Sequence, residues 1–284
     1  ERWVKVQPGV ILDELNKYLA PHGLFFGPET STSNRCMMGG MVGNNSCGAH
    51  SILYGSTRDH LLELKALLSD GSEVEFKAMT GDEFERKCEG SSLENQIYRQ
   101  LHELLSDGRN QAEIRREFPD PALHRRNTGY AVDLLLETDP FTGNGEPFNL
   151  CKLIAGSEGT LAFITEIKLN LIPLPPAVKG VVAIHFHQLQ QVFGANLIAL
   201  KYQPGAVELM DHTILELTKG NLEQQKNRGF IEGDPAALMI VEFARDSREE
   251  IEQLAANMEK EMRSLQVGYH FPLIFGKEIQ KIWN

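Results

Sequence analysis

A run of small residues between Cys36 and Gly55 has the clearest chemical potential in this sequence. It contains five glycines and two asparagines, and no lysine, aspartate or glutamate. Small residues let backbone N–H groups approach a ligand closely, and successive N–H groups in turn conformations bind anions. The run therefore predicts a loop that holds an anionic group such as a diphosphate, although its composition alone also fits a purely structural loop.

A second tight turn, Gly156-Ser-Glu-Gly-Thr160, leads into an apolar strand that ends at Ile172. Two such turns could converge on one extended ligand. The alternative is an ordinary strand-entry turn in which Thr160 satisfies local backbone groups. The first run is not a dinucleotide fingerprint because no strand precedes it, and it is not a P-loop because no Gly-Lys-Ser/Thr follows it.

Three other groups of residues have both a chemical and a structural interpretation. The turn from Arg125 to Tyr130 could hold a phosphate or carboxylate, or it could be a solvated loop. His185 and His187 share one face of a predicted strand, but without a carboxylate or cysteine at usable spacing we interpret them as strand residues, not metal ligands. Asp211 is interpreted as a helix N-cap.

Length and composition limit the classes of protein that this chain fits. At 284 residues, two domains are expected. The net charge of −11 argues against nucleic acid or an acidic membrane surface as a partner. The four cysteines contain no CxxC pair, which fits a reducing, cytoplasmic setting and gives no zinc or iron–sulfur spacing. No apolar run reaches the roughly 18 residues of a membrane helix.

The first half of the chain is predicted to mix strands with a helical layer. Residues 3–7 alternate as a strand, and a helix from Pro8-Gly9 is expected to bury an apolar face that includes Tyr18. A hairpin with an Asp-Gly turn is expected over 61–77, followed by helices over 79–118 with Gly108 as a stop. Residues 139–149 are expected to form a long loop.

The second half has the alternation of an α+β domain. Strands are expected at 180–186, 206–210 and 238–243, and helices at 189–200, 211–219 and 247–265. This order within about 100 residues predicts a ferredoxin-like arrangement.

Several short segments, taken in order, are similar to a known family. They are Val6–Val10, Gly27-Pro28, Met38–Gly48, Tyr54-Gly55, Leu68–Gly71, Asn127–Tyr130, Gly156–Thr165, Glu208–Asp211 and Val241–Phe243. Together they resemble the flavin-linked oxidases and dehydrogenases of the vanillyl-alcohol-oxidase superfamily, in the branch of the D-2-hydroxyacid dehydrogenases.

The resemblance implies an α+β fold made of two parts. Residues 1–175 would be the second subdomain of a PCMH-type FAD-binding domain, present in part and with a helical insert at about 79–118. Residues 176–284 would be the N-terminal part of a ferredoxin-like substrate domain. The implied family features that are absent from the chain lead us to expect a piece of a longer protein, truncated at both ends. No catalytic residue and no metal ligand is therefore assigned.

The resemblance also implies FAD as cofactor and hydride transfer from a D-2-hydroxy acid to flavin N5. The implied partners are a small-molecule 2-hydroxy acid, of the D-lactate or D-2-hydroxyglutarate class, and an electron acceptor that is a quinone or an electron-transfer protein. Ala162 and Phe163 depart from the usual family residues and favour D-2-hydroxyglutarate. The alternatives are an alcohol oxidase or enolpyruvyl-type reductase of the same fold, or a nucleotide-binding module without activity. The expected location is cytoplasmic, with peripheral attachment to the inner face of the membrane left open.

The cofactor-binding residues implied by the resemblance lie in four stretches within residues 1–175. Arg58 or Arg126 would offset the diphosphate charge. The residues that would line FAD are Pro28, Thr30, Ser31, Thr32, Ser33, Gly39, Gly40, Gly43, Asn44, Asn45, Ser46, Gly48, Tyr54, Gly55, Gly156, Glu158, Gly159, Thr160 and Ile164.

Overall fold

The computed structural model describes residues 2–123, 125–126 and 129–283. Contacts divide the chain into two compact units, Glu1–Leu174 and Pro175–Asn284. Each unit has its own four-stranded sheet with hydrophobic residues packed against it. Within the described residues, none of the helices combines the length and apolar character needed to span a bilayer.

The first unit contains a four-stranded antiparallel sheet in the order β1-β5-β3-β4 and a small second sheet, β2-β6. Its strands are β1 (Trp3–Val6), β2 (Leu24–Phe25), β3 (Leu61–Leu67), β4 (Glu73–Lys77), β5 (Phe163–Asn170) and β6 (Ile172–Pro173). The β3–β4 hairpin is the one predicted, with Gly71 at a φ of 82° in its turn. Strand β5 lies between β1 and β3 in this sheet. The turn at residues 156–160, which precedes β5, is therefore brought close to the N-terminal part of the chain.

The helices of this unit include the predicted layer over 79–118. They are α1 (Leu12–Leu19), α2 (Met38–Asn44), α3 (Ser51–Tyr54), α4 (Thr57–His60), α5 (Gly81–Cys88), α6 (Leu93–Ser106), α7 (Gly108–Glu117), α8 (Val132–Leu136), α9 (Asp139–Thr142) and α10 (Cys151–Ile154). Three details differ from expectation. Tyr18 is 67% exposed, Gly108 begins α7 instead of ending a helix, and 139–149 includes α9.

The glycine-rich run was predicted as a loop, and this is wrong for its first half. Residues 38–44 form α2, even though glycine costs up to about 1 kcal/mol in a helix relative to alanine. Burial explains the difference, because Met38, Met41 and Val42 are each no more than 1% exposed in the core. Tertiary packing therefore overrides local helix propensity in this segment.

The second unit has the ferredoxin-like topology that the sequence predicted. Its strands are β7 (Val178–Phe186), β8 (Ala206–Asp211), β9 (Ala237–Arg245) and β10 (Leu273–Phe275), and they pair antiparallel in the order β10-β7-β9-β8. Its helices are α11 (Gln191–Leu200), α12 (His212–Lys219), α13 (Leu222–Gln225), α14 (Arg248–Ser264) and α15 (Ile279–Trp283). Helices α11 and α14 share one core with the sheet, while α12 and α15 share the other.

Candidate functional site

The two glycine-rich segments meet directly in the first unit. The backbone N–H of Gly156 donates to Val42 O at 2.9 Å, and that of Glu158 donates to Gly43 O at 2.9 Å. The side-chain amide of Asn44 donates to the Glu158 carboxylate at 3.0 Å. The turn before β5 is thus hydrogen-bonded to the last turn of α2, as expected if both face one ligand.

The start of α2 is held by the β1–α1 connection. The N–H of Gly39 donates to Pro8 O at 2.9 Å, and a Cβ on Gly39 would lie 2.8 Å from Pro8 Cβ. Gly39 therefore has a packing role, and its N–H is not available to a ligand. The end of α2 is the buried Asn45, which has a φ of 54° and accepts the Arg58 N–H at 2.8 Å through Oδ1.

Three exposed residues in these segments have backbone N–H groups that are open to a ligand. Those of Ser31, Gly40 and Gly159 have no acceptor within the part of the chain that the structure describes. A Cβ added at Gly40 or Gly159 would meet nothing within 4 Å. The space above both residues is therefore open, which suits close approach by an anionic group.

The loop over 27–33 packs against the glycine-rich run with no room for larger residues. A Cβ on Gly48 would lie 2.5 Å from Glu29 O, and one on Gly27 would lie 3.0 Å from Tyr54 Cβ. The Glu29 carboxylate is bound by His50. Pro28 is buried beside these contacts.

The hydroxyl groups of this loop bind one another and the backbone. The Thr30 and Thr32 hydroxyl oxygens are 3.0 Å apart, and the Thr30 hydroxyl accepts the Thr32 N–H at 3.3 Å. The Ser33 N–H donates to the Thr30 carbonyl at 3.1 Å. These bonds fix the curvature of the loop without using the Ser31 N–H.

The second half of the glycine-rich run, residues 46–55, bends sharply into α4, and we call this bend the corner. Gly55 has a φ of 65° and a ψ of −150°, a combination that favours glycine, and a Cβ there would lie 2.5 Å from Asp59 Oδ2. Asp59 and Ser56 form the capping box of α4. Thr57 donates to Ser46 O through both its N–H and its hydroxyl, at 3.0 and 2.8 Å. The corner therefore fixes Ser46 relative to α4.

The surroundings of Arg58 do not favour direct contact with a diphosphate, whereas the expected role of Arg126 stays a prediction. Arg58 is 4% exposed, and its guanidinium is occupied by backbone carbonyls. Burial lowers the pKa of this guanidinium from its ordinary value. Arg126 pairs with Asp133. Arg125 is exposed, while Asn127 and Thr128 of the same turn lie outside the described residues.

The far end of the turn contains one contact that the sequence analysis considered and one that it did not. The Thr160 hydroxyl donates to Ser157 O at 2.6 Å, so the local role considered for Thr160 does occur. The Tyr130 hydroxyl lies 2.6 Å from the same Thr160 oxygen and joins the 129–130 segment to the turn. Ile164 is half-buried on β5 opposite Ala66 and packs against the core.

The candidate residues of the second unit, His185 and Asp211, have structural roles. His185 is fully buried, with Nδ1 2.9 Å from Ala183 O and Nε2 accepting the Glu232 N–H at 3.0 Å, so both ring nitrogens are engaged. Asp211 accepts the Ile214 N–H at 2.9 Å and is the N-cap that was predicted. The exposed cluster of His212, Glu216 and Asp234 surrounds the Lys219 ammonium, which pairs with both carboxylates.

Family comparisons agree with this architecture. Residues 1–77 match the family described as FAD binding domain, and residues 175–284 match the family described as FAD linked oxidases, C-terminal domain. The chain therefore belongs to the FAD-linked oxidases, and the predicted cofactor class, FAD, is confirmed at the level of the family.

Single proteins with similar sequences include dehydrogenases and an oxidase subunit. D-2-hydroxyglutarate dehydrogenase of Pantoea ananatis is 35% identical over 94% of this chain, and that of Escherichia coli K12 is 32% identical over 94%. Glycolate oxidase subunit GlcD of Escherichia coli K12 is 25% identical over 74%. The chain covers 26% of either dehydrogenase and 30% of GlcD, so it spans about a quarter to a third of their length.

A solved structure of alkyldihydroxyacetonephosphate synthase has the same fold. Its TM-score is 0.58 at 16% identity, covering 99% of this chain and 44% of the synthase chain. At that identity the likeness concerns the fold alone.

The donor groups of the site fit an FAD diphosphate. The exposed N–H groups of Ser31, Gly40 and Gly159 are donors, and Gly40 and Gly159 have open space above them. The Glu158 carboxylate accepts a hydrogen bond from Asn44, and the Glu29 carboxylate of the 27–33 loop is bound by His50.

Proposed function

We propose that the protein that carries this chain is an FAD-dependent dehydrogenase of D-2-hydroxy acids, with D-2-hydroxyglutarate as the preferred class of substrate. The observation that carries the proposal is the hydrogen-bonded contact of the two glycine-rich segments, each of which contains an exposed glycine, Gly40 or Gly159, whose N–H has no acceptor among the described residues. The names of the relatives at 32–35% identity support the choice of substrate class.

In this proposal the chain holds and orients the cofactor. When bound, FAD would supply the acceptor for the hydride of the carbinol carbon, so that the alcohol of the acid could become a carbonyl while its hydroxyl proton is released. The N–H groups of Ser31, Gly40 and Gly159 would donate to the diphosphate. The hydrogen bonds of Gly156 and Glu158 to α2 would fix the two walls of the site relative to each other. No residue of this chain is assigned a proton-transfer role.

The test is anaerobic reduction of the intact, FAD-loaded protein. D-2-hydroxyglutarate should bleach the visible flavin absorbance, with release of the 2-oxo acid in equal amount. The L enantiomer is the matched control because it has the same charge and composition, and D-lactate tests the breadth of the substrate class. Flavin that binds stoichiometrically but is reduced by none of these acids would contradict the proposed activity.

The electron acceptor and the location are further parts of the proposal. We propose reoxidation by a quinone or by an electron-transfer protein, in the cytoplasm or at the inner face of its membrane. A soluble quinone analogue and a purified electron-transfer flavoprotein, each mixed with the reduced protein, would separate the two acceptors. Rapid reoxidation by dioxygen alone would instead indicate an oxidase.

A further inference from the structure

Arg58 connects three chain segments around the proposed site without reaching its open surface. Its Nε donates to Lys152 O at 2.9 Å, and its Nη2 donates to Ala155 O at 2.5 Å and to Gly129 O at 3.2 Å. Its backbone N–H donates to Asn45 Oδ1 at 2.8 Å. One buried residue thus binds the end of α2, the end of α10 and the start of the 129–130 segment.

Two of the carbonyl groups that Arg58 binds lie at the C-terminal end of α10, where no helix N–H donates to them. Lys152 lies in α10, and Ala155 is the C-cap of that helix. The last carbonyl groups of a helix receive no hydrogen bond from within the helix. A cation at a helix C-terminus also interacts favourably with the helix dipole. The guanidinium therefore fixes the point from which the Gly156 turn departs toward α2.

Gly156 has the conformation and the space that this arrangement requires. Its φ is 86°, and a Cβ added there would lie 2.6 Å from Arg58 Nη2 and 3.2 Å from Gly129 O. The guanidinium thus fills the volume beside the turn. The Gly156 N–H donates to Val42 O, and this hydrogen bond fixes the turn relative to α2.

The charge of Arg58 is balanced by backbone oxygens. The two carboxylates that act on it electrostatically, Asp59 and Asp133, are bound by Ser56 and Arg126 respectively. Lys152 lies beside it, half-buried, and its Nζ donates to Arg58 O at 3.2 Å. The carbonyl groups of Gly129, Lys152 and Ala155 match the planar guanidinium of arginine, which offers several donors in fixed directions. A lysine ammonium at this position cannot bind all three of them.

We infer that Arg58 is a positioning residue for the FAD site, which sets the register of the Gly156 turn against α2 without touching the cofactor. This inference rests on the proposed function. It predicts that loss of the guanidinium displaces Gly156, Glu158 and Gly159 together, and with them one wall of the diphosphate site.

The test uses Arg58→Met and Arg58→Lys in the intact protein, with Arg109→Met as the control. Arg109 has a side chain that is 92% exposed on α7, so its substitution makes the same change of charge without the buried contacts. The expected result is FAD binding weakened roughly tenfold or more in R58M, a smaller loss in R58K and no change in R109M.

Hydrogen exchange of the cofactor-free proteins gives a second readout that does not depend on turnover. Amides over 155–160 should exchange faster in R58M, while those of β7 and β9 in the second unit keep their wild-type rates. Uniformly faster exchange, or unchanged exchange over 155–160, would overturn a positioning role. So would R58M and R58K proteins that bind FAD within twofold of wild type, an outcome that leaves the proposed function intact. Wild-type protein that binds no FAD would refute both.

Discussion

The side-chain amide of Asn44 donates to the carboxylate of Glu158 at 3.0 Å and so joins residues 114 positions apart in the sequence. Glu158 occupies the turn with a φ of 51°, and its N–H donates to Gly43 O at 2.9 Å. A non-glycine residue in the left-handed region is uncommon and carries strain. The cross-chain hydrogen bonds hold the strained turn in place, and this pair is therefore a direct probe of the proposed site.

Glu158→Ala and Glu158→Gln separate the hydrogen bond from the charge. The glutamine side chain keeps an oxygen acceptor for Asn44, whereas alanine removes it. Because the pair is exposed, we expect E158A to lose about 0.5–1.5 kcal/mol of FAD binding and E158Q to bind like wild type. Titration of the cofactor-free protein with FAD measures both. An equal loss in the two variants would mean that the carboxylate charge, not the hydrogen bond, matters.

Gly156→Ala and Gly159→Ala compare two glycines that share a positive φ but differ in their surroundings. Alanine at 156 would meet Arg58 Nη2 at 2.6 Å, whereas alanine at 159 would enter open space. We expect G159A to lose about 1 kcal/mol of unfolding free energy from backbone strain, and G156A to lose about 2–3 kcal/mol from strain and displacement together. Urea unfolding monitored by circular dichroism measures the difference, and equal losses would contradict the contact with Arg58.

Gly40→Ala tests whether a ligand approaches α2. The added methyl group has no neighbour within 4 Å, and alanine is a better helix former, so the cofactor-free protein should gain up to about 1 kcal/mol of stability. FAD affinity should nevertheless fall, because the methyl group would occupy open space that a ligand bound at Gly40 would otherwise fill. Gly39→Ala is the contrast, since its Cβ would lie 2.8 Å from Pro8 and should destabilise the protein. A G40A protein with unchanged FAD affinity would place the diphosphate elsewhere.

His185 should make the second unit sensitive to acid. Burial lowers the pKa of His185 below its ordinary value of about 6.5, so the folded form stays neutral where the unfolded chain takes up a proton. Its surroundings include His270, Glu232 and Tyr269. By linkage, the unfolding free energy is unaffected above about pH 6.5 and decreases as the pH falls below that value.

The two tryptophans of this 284-residue chain allow the effect to be measured on the chain by itself. Trp3 lies in the first unit and Trp283 in the second, so Trp3→Phe leaves fluorescence that reports on the second unit. Urea midpoints between pH 7.5 and 5 should fall with pH in the W3F protein. The fall should be smaller when His185→Gln is added. The same pH dependence in both proteins would assign the effect to another group.

The elements with strong local signals could be predicted from the sequence. The Asp70-Gly71 turn and the alternation on both sides of it specify the β3–β4 hairpin, because turn chemistry and strand period are local properties. The alternation in the second half predicted a ferredoxin-like sheet in the same way. The Asp211 N-cap also followed from residue type and position.

The helical state of residues 38–44 could not be predicted, because it depends on burial of Met38 and Met41 by parts of the chain far away. The role of Arg58 was missed for the same reason. Its carbonyl partners lie 71 to 97 residues further along the chain, and nothing in their sequence marks them as acceptors.

The sequence by itself determined that two glycine-rich segments exist, that they are small enough for close backbone contact, and that their order is similar to a flavin-linked family. These are properties of residue type and local spacing. Only the tertiary structure decided which N–H groups stay exposed, because that depends on acceptors supplied by distant segments. Gly39 gives its N–H to Pro8 and Gly156 gives its own to Val42, while Gly40 keeps an exposed donor. Hydrogen-bond satisfaction is a property of the assembled chain, and it separates the packing glycines from those that can bind a ligand.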